Sequence, residues 1–359
     1  MDDECKAFTH VAPRRILVIK LSSLGDIVHT LPAVAALRTR FPAAHICWII
    51  KSQWASILEE NPDIDEVLSV DVSWKNWLKL IRGLRQRQCD LVVDFQGLFR
   101  SGFLGILSGA NMRVGFAQAR EGAPWMYTHR VPLPGDQESP WRLLRMHAVE
   151  RNLALVKFLG ANVSRPIFHL PGTAEDHTYI CELLQGAEVE DHEDLIALAP
   201  WSRSALKSWP LNRFVELAEE LIRIPTLRVV IIGGPSDHKM AEGFCRLESQ
   251  GLINVVGKLS LRQIPELLRR MKCVIGNDSS PIHLAAGVGT PVLAILGPTE
   301  PMATGPYPLS AHVVCRTELG CSPCGQRTCR NAIHLECLHT ISVKSVVDAM
   351  QEIMVRHEG

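Results

Sequence analysis

Between Cys273 and Pro308 the chain reads CVIGNDSSPIHLAAGVGTPVLAILGPTEPMATGPYP. The apolar run Cys273–Gly276 has the length and residue types of a buried strand. It stops at Asn277, Asp278, Ser279 and Ser280, residue types that favour helix caps. A small-residue helix is predicted over Ile282–Val288, then a second strand over Pro291–Leu296, then the turn Gly297-Pro298-Thr299. A strand–loop–helix–strand–loop unit of this kind belongs in a parallel sheet covered by helices. Open sheets of that type bind ligands beyond their strand carboxyl ends. The helix start adds free N–H groups and a positive dipole end, which suits a phosphate.

The same alternation runs through the rest of the chain. Strands are predicted over Arg14–Lys20, His45–Lys51, Glu66–Asp71 and Asp90–Gln96. Helices are predicted over Ile27–Arg40, with Pro32 as an irregularity, over Trp74–Arg87 and over Trp141–Leu159. The pattern restarts with strands at Leu195–Ala199, Arg228–Ile232 and Asn254–Gly257. Its helices fall at Leu211–Arg223, Ser236–Leu247 and Leu261–Met271, with a terminal amphipathic helix at Ser342–Arg356. The expected architecture is α/β, with two Rossmann-like doubly wound domains facing a cleft. The first domain would span 1–170, a linker 171–194 and the second domain 195–340. A C-terminal helix over 341–359 has the first domain as a candidate packing partner.

With 359 residues, two domains are the default. Lys+Arg and Asp+Glu both number 38, which argues against a general nucleic-acid binder. The balance is uneven, however. From Gly97 to Gly160 there are eight Lys/Arg against four acids, so an anionic partner could meet the chain there. The alternative is a solvated charged face. The N-terminal MDDECKAFTH has no signal-peptide core, and no apolar run approaches the roughly 20 residues needed to span a bilayer. A cytoplasmic location is expected, and the eleven cysteines then read mostly as reduced thiols.

Several residues could carry chemistry. Lys20-Leu-Ser-Ser-Leu-Gly25-Asp26 follows the first strand. Asp26 there is either a helix cap or a general base for a sugar hydroxyl. Asp278 has the same two readings, and the N–H groups of Ser279 and Ser280 could hold a phosphate. His283, one turn into the helix, is either packed or a ligand. The loop Pro200–Pro210 places Lys207 above the same sheet edge as Asp278. A cation there would suit a diphosphate leaving group, where negative charge grows as the bond breaks. Asp237, after Gly233-Gly234-Pro235, would bind a ribose hydroxyl or cap its own helix. Cys321-Ser-Pro-Cys324 has metal-ligand spacing, and Cys329 and Cys337 could complete a four-thiolate structural site. Unligated thiols are the alternative. The Gly-x-Gly-x-x-Gly fingerprint of a dinucleotide oxidoreductase is missing from the first turn.

Four segments, KLSSLGDIVHTLPAVAALRTRFP, DFQGLFRSGFLGILSGANMRVGF, KSWPLNRFVELAE and GNDSSPIHLAAGVGTPVLAILGPTEP, resemble the ADP-heptose:lipopolysaccharide heptosyltransferases of glycosyltransferase family 9. The resemblance runs from about Arg14 to Met350 and looks nearest to the heptosyltransferase I-like branch. It implies a GT-B architecture and inverting transfer of heptose from ADP-heptose to an inner-core Kdo sugar of lipopolysaccharide, with no catalytic metal. The implied partners are ADP-heptose, an anionic lipid-linked sugar acceptor and the inner-leaflet membrane surface, with no nucleic acid. The implied location is cytoplasmic, peripheral to the inner membrane. By motif, Asp26 matches the general base and Lys207 the basic residue at the donor diphosphate. Asp278, Ser279, Ser280 and His283 fall at the donor, with Ser202 and Asp237 beside them. Ser23, Gln96, Arg100, Arg120, His147 and Arg151 fall on the acceptor side.

One position departs from the pattern. The family has Asp-(Ser/Thr)-Gly where this chain has Asp278-Ser279-Ser280. A glycine allows positive φ and close approach, so the change bears on donor fit. It keeps open a related transferase with another nucleotide sugar or a protein acceptor. A sugar-nucleotide-binding protein without turnover is a further alternative.

Overall fold

In the computed structural model, which describes residues 12–71, 77–133, 146–190 and 192–356, the run RILVI forms β1 (Arg15–Ile19). Its last four side chains are wholly buried, as a strand covered on both faces requires. β2 (His45–Lys51), β3 (Glu66–Val70), β4 (Leu91–Asp94), β5 (Met112–Phe116) and β6 (His129–Val131) follow. They pair in the order β3-β2-β1-β4-β5-β6, every pair parallel. The order reverses between β1 and β4, and that switch point is where a doubly wound sheet opens a crevice. This unit, Met1–Pro171, also holds α1 (Leu24–Val28), α2 (Leu31–Arg40), α3 (Trp77–Gln86), α4 (Phe99–Leu107) and α5 (Ala148–Phe158).

The single helix predicted over Ile27–Arg40 is two helices. α1 ends at Val28, and α2 restarts with Pro32 in its first turn. A proline lacks the N–H that a helix interior needs but is tolerated in the first turn. The Asn152 side chain on α5 stitches the break, donating to His29 O at 3.0 Å and Thr30 Oγ1 at 3.1 Å. Residues 74–76 and 141–145 of the predicted helices lie outside the described residues. α4, β5 and β6 were not anticipated; β6 has only three residues, too few for a periodic pattern.

The second unit, Gly172–Gly359, repeats the plan. α6 (Ala174–Gly186) comes first, then β7 (Asp194–Ala199), α7 (Leu211–Ile222), β8 (Leu227–Ile231), β9 (Ile253–Asn254) and α8 (Gln263–Leu268). β10 (Cys273–Asn277), α9 (Ser280–Gly287), β11 (Val292–Ile295), β12 (Val313–Cys315) and α10 (Val343–Arg356) follow, with short helical turns at Pro301–Thr304 and Glu336–His339. The sheet order is β12-β11-β10-β7-β8-β9, all parallel, with the switch point between β7 and β10. Trp209, Phe214, Leu217, Leu221 and Phe244 pack with the sheet in one core.

The stretch 171–194, read as a linker, carries α6, whose Thr173 cap exchanges hydrogen bonds with Asp176. α10 buries Val346, Met350 and Ile353 in the core of its own unit. The helix predicted over Ser236–Leu247 is a chain of short turns, Pro235–Asp237, His238–Ala241, Glu242–Phe244 and Cys245–Glu248. Gly243 sits in the middle of it, and glycine weakens a helix interior.

Candidate active site

In the first unit the switch point gathers the turn after β1 and the turn after β4. Lys20 is buried, and its Nζ donates to Phe95 O at 3.1 Å. The N–H groups of Leu21 and Ser22 both donate to Gln96 Oε1, at 3.0 and 3.2 Å. Ser23 donates from N and from Oγ to Asp26 Oδ2, at 3.0 and 2.7 Å. Ser23 is thus the N-cap of α1 and Asp26 the third helical residue reaching back to it, and the two bonds hold the carboxylate in one orientation.

Two basic side chains, Lys20 and Arg151, act on this carboxylate. Burial lowers the Lys20 pKa, with Asp26 and Asp94 opposing it and Arg151 and Arg120 adding to it. Burial likewise lowers Arg151, with Asp26 opposing and Arg120 adding. Asp26 thus interacts with both Lys20 and Arg151. His147 caps α5, its Nδ1 accepting from Val149 N at 3.1 Å, and its ring meets that of His29 edge-on. Arg120 is exposed, with its backbone N–H on Gly97 O. Arg100 stands exposed on α4, apart from the bonds described above.

Sequence reasoning missed Asp94. It is fully buried at the end of β4, its Oδ1 accepts from Gln96 N and Gly97 N, and its Oδ2 accepts from Tyr127 OH at 2.7 Å. Burial raises its pKa against the pull of Tyr127, Ser101 and the two backbone donors. A single acid closing an apolar run gives no signal that separates this role from a solvated strand end.

In the second unit the loop after β7 and the turn after β10 meet at the other switch point. Lys207 closes the short turn Ala205–Lys207, and its Nζ lies 2.5 Å from Asp278 Oδ2. Thr299 Oγ1 donates to the same oxygen at 2.5 Å, and His283 Nε2 lies 3.7 Å from Oδ1. Burial alone would raise the Asp278 pKa. Hydrogen bonding to His283 and the Lys207 charge outweigh it and hold the carboxyl well below its usual range.

Asn277, fully buried, ties the two turns together: its Nδ2 donates to Pro200 O at 2.6 Å and its Oδ1 accepts from Trp209 N at 2.9 Å. Ser279 is the extended N-cap of α9 with φ −150°, and Ser280 is its first helical residue. Neither position uses the positive φ that a glycine would permit, so Ser280 fits the turn without backbone strain.

Asp237 accepts from Gly234 N at 2.8 Å, closing its own turn at the end of β8. Ser202 Oγ accepts from Ser204 N at 3.4 Å. Cys321, Cys324, Cys329 and Cys337 line one cavity of about 240 Å³, with Leu206 and Pro298 on its wall. The four-thiolate shell is not formed: among the described residues no group of three or more His, Cys, Asp or Glu side chains is placed to hold a metal ion. Cys321 and Cys324 are exposed while Cys337 is buried, and burial with the neighbouring thiols raises the Cys337 pKa, away from the thiolate.

The profile of glycosyltransferase family 9 (heptosyltransferase) matches residues 77–334. The lipopolysaccharide core heptosyltransferase OpsX of Haemophilus influenzae is 25% identical over 301 residues, covering 82% of each chain. Lipopolysaccharide heptosyltransferase 1 of Escherichia coli strain K12 is 28% identical over 321 residues, covering 84% of this chain and 93% of the other. Among solved structures, a family 9 glycosyl transferase from Veillonella parvula superposes with a TM-score of 0.80 at 25% identity, covering 96% of this chain and 97% of that one.

Proposed function

This chain belongs to glycosyltransferase family 9, and from that premise we propose that it transfers heptose from ADP-heptose to an inner-core Kdo sugar of lipopolysaccharide. The observation that carries the mechanism is the pairing of chemistries at the two switch points. One presents a carboxylate oriented by Ser23 within the field of Lys20 and Arg151. The other presents Lys207 and the open start of α9.

In this reading Asp26 takes the proton of the acceptor hydroxyl as its oxygen attacks the anomeric carbon. The bond from that carbon to the diphosphate oxygen breaks, and ADP leaves with the electron pair from the opposite face, so the anomeric configuration inverts. Lys207 and the N–H groups of Ser279 and Ser280 take up the charge growing on the diphosphate. Asp278 holds Lys207, with Thr299 and His283 around it. Arg120, Arg151 and His147 supply the acceptor side for an anionic sugar. Ser202 and Asp237 are kept for the nucleotide.

The enzyme is proposed to work at the cytoplasmic surface of the inner membrane. No helix among the described residues is long and apolar enough to cross a membrane. The basic excess from Gly97 to Gly160 offers an anionic surface a docking region.

Asp26→Asn tests the reading. The variant should keep its thermal stabilisation by ADP and lose about 10²–10⁴-fold in turnover with ADP-heptose and a Kdo-lipid acceptor. Near wild-type turnover in that variant would remove Asp26 as the base. Stabilisation by UDP-glucose in place of ADP would remove the donor assignment.

A further inference from the structure

We infer that Gln96 is a positioning residue for the Asp26 turn, not a contact to the acceptor sugar. The inference rests on the reading of Asp26 as general base. Two backbone N–H groups, of Leu21 and Ser22, converge on one end of the Gln96 amide. Only the carbonyl oxygen can accept both, so the amide's orientation is dictated by the turn it serves. Those two residues lead directly into Ser23, whose N–H and hydroxyl hold Asp26 Oδ2.

Gln96 is itself held from behind. Asp94 Oδ1 accepts from the Gln96 N–H at 2.8 Å and the Gly97 N–H at 3.2 Å. Tyr127 OH fixes the other carboxylate oxygen of Asp94, and Lys20 Nζ pins Phe95 O between them. Hydrogen bonds of 2.7–3.2 Å therefore link Tyr127 to Asp94, Asp94 to Gln96, and Gln96 to the Leu21 and Ser22 N–H groups, and the backbone carries the chain on to Ser23, which is bonded to Asp26. A base acts only when it stands within hydrogen-bond reach of its proton, and a displacement of about 1 Å can cost 10²-fold in rate. The side chains that fix the Leu21–Ser23 backbone thus govern turnover without touching substrate.

The test is steady-state kinetics on the full chain with varied acceptor, for Gln96→Leu, Gln96→Glu and Tyr127→Phe, alongside Asp26→Asn. Gln96→Leu removes the acceptor of both N–H groups. Its kcat should fall about 10–100-fold with the acceptor KM within about threefold of wild type. Gln96→Glu restores an oxygen facing both donors, and its kcat should recover at least about tenfold over the leucine variant. Tyr127→Phe, which keeps the ring in place, should lower kcat by about threefold or more at unchanged KM. Stabilisation by ADP should be the same in all of them, since the donor residues lie in the second unit. A raised acceptor KM at unchanged kcat in Gln96→Leu would make Gln96 an acceptor contact and overturn the inference. Equal loss in the leucine and glutamate variants would overturn it too. Loss in Asp26→Asn without loss at Gln96 would defeat this inference alone, whereas retained turnover in Asp26→Asn would defeat the base assignment beneath it.

Discussion

Lys207 and Asp278, 71 residues apart in the chain, form an ion pair at 2.5 Å across the β7–β10 switch point. The two partners are not equally withdrawn from water: the Lys207 side chain is 39% exposed and that of Asp278 only 6%. The buried acid anchors, and the lysine head remains at the rim, where a diphosphate would replace water around it. Against burial, His283 and Lys207 hold the Asp278 carboxyl down, and Thr299 donates to the same oxygen as Lys207.

Lys207→Met should therefore separate stability from turnover. The exposed side of the pair is screened, and Thr299 and His283 remain, so the variant should lose only about 1–2 kcal/mol in urea unfolding. Turnover should fall about 10²–10³-fold, because a cation aimed at charge growing on a diphosphate that has displaced its water is worth more than the same cation in a resting ion pair. A variant equally stable and equally active would remove Lys207 from the leaving-group site.

Acid should weaken the second unit through Asp278. Its folded pKa lies below the unfolded value of 3.8, so the unfolded state binds more protons as pH falls. The stabilisation is full above the unfolded pKa and is lost as pH falls through the folded one. Melting temperatures of the wild type and Asp278→Asn, compared from pH 6 down to about pH 3, should converge, the wild type losing more. Parallel curves would mean that His283 and Lys207 do not hold this carboxyl down in the folded protein.

The β1, β4, β7 and β10 cores were legible because strands buried on both faces must be continuously apolar, and Leu91, Val92, Val93 and the other core runs stand out for that reason. Lys207 and Asp278 could be set at one sheet edge because a parallel sheet puts all its strand carboxyl ends on one side. What was not legible depends on where a side chain turns. Gln96 after a buried strand can face a ligand or the neighbouring loop with the same spacing, and only the fold shows that its oxygen meets Leu21 and Ser22. Thr299 was read as a turn residue because nothing in its neighbourhood announces a carboxylate 21 positions earlier. α6 gives a weak pattern because few of its residues are buried: among the thirteen, only Asp176 and Ile180, with Leu183 and Leu184 half-buried.

Asn277→Leu should release the Pro200–Trp209 loop. The buried amide answers one carbonyl and one N–H, and leucine answers neither, at about 1–3 kcal/mol for each group left unpaired. The expected loss is about 2–5 kcal/mol in urea unfolding, with a weaker thermal shift on ADP, because Ser202 and Lys207 ride on that loop. An unchanged ADP shift in the folded variant would separate the loop from nucleotide binding.

Gly115 explains how Tyr127 reaches Asp94. The two strands are in register with Asp94 opposite Gly115, and a Cβ on Gly115 would stand 2.3 Å from Tyr127 Cε2 and 2.4 Å from its Cζ. The ring therefore lies across the bare backbone of β5 to place its hydroxyl on the neighbouring strand. Tyr127 is buried, so Gly115→Ala cannot be absorbed by a swing into solvent. Overpacking of this kind costs about 1–3 kcal/mol. Displacing the ring should also break its bond to Asp94, worth about 1–3 kcal/mol. The two losses share one bond, so they should not add. In a urea-unfolding cycle, Tyr127→Phe should cost at least about 1 kcal/mol less in the Gly115→Ala background than in the wild type, since the hydroxyl it deletes has already lost its partner. Kinetics would follow the same logic: Gly115→Ala should lower kcat as Tyr127→Phe does, and the double variant should be no worse than the alanine variant alone. Additive free energies, within about 0.5 kcal/mol, would mean that the ring keeps its grip on Asp94 despite the new methyl group and that Gly115 is there for some other reason.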